Sequence, residues 1–140
     1  MANNLSVWAR AFLREDRVGV IGTLNADGSA HLTTMWYLLA DDDTLIMTTL
    51  KENQKVKNLR RDARVTFCVG DKTRSVTLSG HVTMSEEQAV IQYDLERLVE
   101  RYVDDESTRL QAMATWMAQP HVALHFRPEK VIEFSVSPKA

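Results

Sequence analysis

The chain has 140 residues, a net charge of −2 and ordinary apolar and charged fractions. The length fits one domain, residues 1–140, around a single core, and the near-neutral balance weighs against a general nucleic-acid binder. No apolar run is long enough to span a bilayer, Trp8 and Phe12 alternate with charged residues rather than forming a signal peptide, and Cys68 is the only cysteine. The expectation is a cytoplasmic protein with no membrane, nucleic-acid or intrachain disulfide contact.

Ser6 is placed to cap a helix running to about Arg14, with Trp8, Phe12 and Leu13 on its buried face. Residues 18–24 read as a strand, Asn25-Ala26-Asp27-Gly28 as a hairpin turn, residues 30–39 as the return strand and residues 44–49 as a third. Strands joined without an intervening helix predict an antiparallel meander. A basic helix follows. Then come strands over 64–69 and 75–83, the second alternating Val76, Leu78, Gly80 and Val82 against Ser75, Thr77, Ser79 and His81. Ser85-Glu86-Glu87-Gln88 has the form of a capping box opening a helix over 86–102, with Ala89, Leu95, Leu98, Val99 and Tyr102 on one stripe. Residues 107–117 read as another helix, and 121–126 and 131–136 as closing strands. Residues 18–24 and 122–126 are nearly continuous in apolar character, which predicts cover on both faces, by a barrel interior plus helices or a partner subunit. About seven strands with peripheral helices give a mainly β, α+β chain built as a small antiparallel, Greek-key-like barrel.

The densest chemical signal lies between residues 51 and 64. Lys51, Lys55, Lys57, Arg60, Arg61 and Arg64 stand there against only Glu52 and Asp62. Helix-start N–H groups and ammonium groups together hold a phosphorylated ligand. The alternative is a solvated face, with the three arginines paired to Asp62 or to the acidic turn at residues 41–43. His121 and His125 would share a strand face roughly 13 Å apart, too far to hold one metal, so no metal site is expected. His31 reads as an exposed hairpin histidine, with contact to a substrate as the alternative, His81 as outward-facing, Cys68 as a buried small residue and residues 104–106 as a solvated loop. Trp36 and Tyr37 point to opposite faces of their strand. Met113, Trp116 and Met117 have helical spacing that suits core, or a cap over a ligand cleft. No catalytic residue is legible.

The order Val-Gly-Val-Ile-Gly-Thr-Leu, Asp-Gly-Ser-Ala-His, Met-Trp-Tyr, Leu-Ile-Met-Thr-Thr and then Lys-x-Lys-Asn-Leu-Arg-Arg-Asp-x-Arg-Val resembles the split β-barrel flavin and deazaflavin oxidoreductases. These form the pyridoxamine 5′-phosphate oxidase-like superfamily. The likeness covers about residues 10–135 and is nearest to its coenzyme F420-dependent reductases. It implies a homodimer with cofactor sites at the interface and hydride transfer to a small unsaturated or aromatic molecule. Thr48, Thr49, Lys51, Lys55 and Lys57 would face the phosphate and any anionic tail, Asn58 would support that turn, and Thr33, Thr34, Met35 and Trp36 would sit beside the ring. Six basic groups exceed the need of one phosphate, which leans towards F420 and its oligoglutamate tail. The alternatives are an FMN-binding oxidoreductase of the same superfamily, or a non-catalytic module holding flavin or haem. Ala63 stands where the family commonly has proline. A C-terminal Trp-x-Arg-Leu signature has no counterpart in Phe134-Ser135-Val136-Ser137-Pro138, which weighs against the vitamin B6 reaction.

Overall fold

The computed structural model describes residues 5–136, so Ser137 and Pro138 of that C-terminal comparison lie outside the described residues. Four helices and nine strands run in the order α1 (Val7–Arg14), β1 (Gly19–Leu24), β2 (Ala30–Met35), β3 (Leu38–Leu39), β4 (Leu45–Leu50), α2 (Gln54–Arg61), β5 (Arg64–Gly70), β6 (Arg74–His81), β7 (Thr83–Ser85), α3 (Gln88–Tyr102), α4 (Glu106–Met117), β8 (His121–Phe126) and β9 (Lys130–Ser135). They form two sheets, β2-β1-β5-β6-β9 and β3-β4-β8-β7, with every pairing antiparallel. The two sheets do not close on each other, which is the split-barrel architecture expected, with nine strands in place of about seven.

The two extra strands come from two breaks that alternation alone does not reveal. The expected strand over 30–39 parts at Trp36-Tyr37, so the meander changes sheet there. Tyr37 N–H turns to the hydroxyl of Tyr102 on α3 (3.3 Å), and the Tyr37 carbonyl lies 3.1 Å from the same oxygen. A side chain from another element thus takes the place of a ladder partner. The expected strand over 75–83 parts at Val82, whose N–H bonds to the Ala63 carbonyl (2.9 Å) and sends β7 into the second sheet. Because Ser85 is spent in that strand, the capping box does not form. Its hydroxyl accepts from Glu87 N–H, and α3 starts at Gln88 with no side-chain cap.

Alternation places Val65, Phe67 and Val69 of β5 and Val76 and Leu78 of β6 in the core, beside Ile21, Leu45, Met47 and Leu124. Ser6 caps α1 through Ala9 N–H, and Phe12 and Leu13 close one end of that core. Gly19 is required because a Cβ there would stand 2.2 Å from the Phe67 ring, and Gly28 takes φ +86° in the hairpin turn. α3 covers the other face of β4 and β8 with Ile91, Leu95, Leu98 and Val99; Ala89 is exposed instead and Asp94 is buried.

β8 is therefore covered on both faces, as expected. β1 is not: Val20 is exposed on the outer face of the five-stranded sheet. One register row there reads Thr34, Val20, Cys68, Thr77 and Ile132, and the next contains Leu32 and Gly22. Cys68 thus lies half-exposed on this outer face rather than buried. Leu32, Ile132 and Phe134 are exposed on the same side.

Candidate functional site

The split between the sheets leaves a cleft of about 220 Å³ where the end of β2 faces the end of β4. Thr34, Met35 and Trp36 form one lip, and Thr48, Thr49 and Leu50 the other. Leu95 and Leu98 of α3 and Trp116 of α4 complete its apolar end, while Asn53 and His121 line its polar end. Five of these residues, Thr34, Met35, Trp36, Thr48 and Thr49, are ones the family resemblance implied, and Trp116 had the spacing of a possible cap. Leu50, Asn53, Leu95, Leu98 and His121 were not read as lining, although Asn53 carried a signal as a capping-type residue before a helix.

Trp36 is fixed from behind. It stacks on Tyr102 at 4.8 Å and 15°, and meets Trp116 edge-on at 5.3 Å and 71°. The Tyr102 hydroxyl lies 2.6 Å from the Arg17 carbonyl, and the neighbouring Arg101 donates to the carbonyls of Leu13 and Glu15 that end α1. Tyr37, on the opposite side from Trp36, is fully buried. Its hydroxyl donates to the Leu13 carbonyl (2.7 Å), and burial pushes its phenol up.

α2 lies behind the polar end, which Asn53 lines from just before the helix. Asn53 does not cap the helix; its amide donates to the Thr49 hydroxyl (2.9 Å) instead. Lys55 enters from the first turn and is only 6% exposed, yet Nζ has a single long contact, 3.5 Å to the same hydroxyl. Burial pulls its ammonium group down from the usual lysine range. Asn58, one turn on and fully buried, is the reverse case. Its Nδ2 donates to Thr23 Oγ1 and Asn25 Oδ1 (3.0 Å each), and its Oδ1 accepts from Gln54 and Arg61. This amide locks α2 onto the β1–β2 hairpin.

On the inner face of β2, Thr33 Oγ1 and His31 Nδ1 are shielded from solvent and have no hydrogen-bond partner. His31 pairs in register with Thr23, the residue Asn58 holds, so this strip runs from the cleft beside α2. His31 is thus half-buried rather than exposed as expected. Shielded polar groups without partners cost free energy unless a ligand or water completes them. Together with the under-partnered Lys55, they fit a phosphate-bearing cofactor side chain.

The remaining basic groups are spent elsewhere. Lys51 and Arg60 share Glu86 (2.7 and 2.9 Å), and Arg64 pairs with Asp62 (2.6 Å), whose carboxyl is thereby held down at about 2. Arg61 donates to the Leu24 carbonyl. Lys57 projects into solvent from the other side of α2. The structure thus places Lys55 behind Thr49, next to the polar end but not among the residues that line it, and leaves Lys51 on Glu86 and Lys57 in solvent. His121 and His125 lie at different ends of β8, the first in this cleft and the second on buried Asp94 (2.5 Å). Among the described residues no group of three His, Cys, Asp or Glu could hold a metal, and no helix is long and apolar enough to cross a membrane.

The family described as "Pyridoxamine 5'-phosphate oxidase" matches residues 8–135. No curated protein matches. Among solved structures, the conserved hypothetical protein Rv2991 of Mycobacterium tuberculosis is 28% identical at a TM-score of 0.80, over 94% of this chain and 86% of that one. A solved F420 reductase is 20% identical at a TM-score of 0.71, over 88% of this chain and 94% of that one. A FAD-binding protein (mll6688) of Mesorhizobium loti is 19% identical at 0.68, over 95% and 96%. The last two likenesses are of fold.

Proposed function

The chain belongs to the pyridoxamine 5′-phosphate oxidase family, and from that premise we propose that it is a single-domain oxidoreductase holding a flavin-type cofactor between β2 and β4. The observation that carries this reading is the buried, under-partnered Lys55 beside the Trp36 cleft. Lys55, Thr49 and the uncapped start of α2 hold the phosphate, with Thr33 and His31 along the same strip. Trp36, buttressed by Tyr102, orients the ring, and Leu95 and Leu98 keep water from it. Asn58 braces the turn without touching the ligand. The bound cofactor supplies hydride transfer to or from a small unsaturated or aromatic molecule.

Coenzyme F420 is the cofactor proposed, on the resemblance of the basic run after β4. FMN is the second reading, and a specific observation favours it: Lys51, Arg60 and Arg64 are neutralised within the chain, which shrinks the surplus charge available to an oligoglutamate tail. The protein acts as a cytoplasmic homodimer in this proposal. The open outer row of Val20 and Ile132, with Leu32 and Phe134 beside it, supports a second copy as the missing cover of β1.

Fluorescence titration of the purified protein with F420 and with FMN, at two salt concentrations, tests the reading. Tighter, salt-sensitive binding of F420 is expected. Preference for FMN selects the second reading, and binding of neither overturns both. Tight binding with no turnover across a substrate panel would make the protein a carrier.

A further inference from the structure

Among the described residues that line the cleft between β2 and β4, His121 alone can change charge; the rest are threonine, asparagine, methionine, leucine and tryptophan. His121 opens β8, and its backbone pairs with Leu50, the last residue of β4. The Pro120 carbonyl just before it accepts from Lys51 N–H (3.0 Å), so the chain is held as it turns into the strand. The ring is held as well. Its Nδ1 lies 2.9 Å from the Gln119 carbonyl. A carbonyl can only accept, so Nδ1 carries a proton and Nε2 is the nitrogen left free.

Nε2 then has two states. In the neutral ring it offers a lone pair, and in the imidazolium it offers an N–H on a positive charge. The surroundings suit the second state once an anion arrives. Among the described residues no carboxylate lines the cleft. Thr49 Oγ1 accepts from Asn53 and Lys55, which leaves its own O–H to donate. From α3 and α4 come only Leu95, Leu98 and Trp116. Of the charged groups around the polar end, Lys55 stands behind Thr49, and Lys51 and Glu86 hold each other at the rim (2.7 Å). We propose that His121 is a proton-linked phosphate ligand: Nε2–H of its imidazolium donates to the cofactor's phosphate beside the Thr49 hydroxyl, and a neutral ring takes up one proton from solvent as the phosphate binds. A phosphate that faces the neutral ring meets a lone pair and loses the bond, so affinity falls as pH rises through the ordinary histidine range. This inference rests on the proposed cofactor reading and concerns only what this chain contributes, whichever groups a second copy adds.

Binding of FMN, F420 and riboflavin, the last without a phosphate, is measured at pH 6.5 and 8 for the wild type and His121→Gln, whose amide takes up no proton. The wild type should bind FMN or F420 at least about fivefold more tightly at pH 6.5 and riboflavin equally at both, and the variant should lose most of the preference. The phosphate of FMN sheds charge towards pH 6 and works in the opposite direction, and Lys55 is present in both proteins, so the wild-type preference divided by the variant's isolates His121. Equal preferences in the two proteins, or a preference that riboflavin shares, overturn the proposal while the cofactor reading stands. If none of the three binds, that reading falls and inorganic phosphate decides His121. Its ring signals in NMR, identified by their loss in His121→Gln, should move saturably with phosphate at pH 6.5 and stay in place with chloride at equal ionic strength. Signals unmoved by phosphate overturn it.

Discussion

Lys55 and Asn58 sit one turn apart on the same short helix, both buried and both polar, and they play opposite parts. Asn58 has its amide satisfied by Thr23, Asn25, Gln54 and Arg61. Lys55 carries three donors and finds one hydroxyl at the edge of hydrogen-bond distance. Burying a fully partnered amide holds a fold together, whereas burying an under-partnered ammonium works against it. The contrast separates a brace from a binding group without appeal to turnover. It also explains why α2 can tolerate the cost at Lys55: Asn58, Val56 and Leu59 anchor the helix.

The largest expected effect is at the brace. Asn58→Ala leaves the Thr23 hydroxyl and the Asn25 side chain short of partners and should cost about 2–4 kcal/mol in urea unfolding. A loss under about 0.5 kcal/mol together with collapsed cofactor affinity would break the comparison, making Asn58 a ligand. A smaller effect should follow at the rim, where Glu86 holds Lys51 and Arg60. Glu86→Gln should raise F420 affinity about two- to threefold at low salt and leave FMN affinity unchanged, because freed surface cations act on a long anionic tail and are screened by salt. Equal affinities before and after would assign both cations to the protein surface alone.

Much of the fold was legible because β5 and β6 obey strict alternation and the Asn25–Gly28 turn carries its own chemistry. The breaks at Tyr37 and Val82 were not legible, because each depends on a partner far along the chain or in another element: Tyr102 for the first, Ala63 for the second. The same limit applied to the site. Trp36, Thr48 and Thr49 came from the family resemblance, since their strands lie in different sheets and spacing alone does not bring them together. That Glu86 absorbs two of the six basic groups could not be read, since a charge count does not reveal which carboxylate folds back onto which cation. His31 was read as exposed for a related reason: a histidine near a hairpin tip ordinarily is, and only the register opposite Thr23 turns its ring inward.

The central claim is that Lys55 is buried for a ligand's sake, and Lys55→Met tests it directly. The substitution keeps an unbranched apolar stem and removes the buried charge. Urea unfolding of the ligand-free protein and cofactor titration are then read side by side. The expected variant is at least as stable as the wild type and binds the cofactor about tenfold more weakly or worse. A variant that loses stability while binding the cofactor as before would contradict the claim, and would make Lys55 a second brace like Asn58.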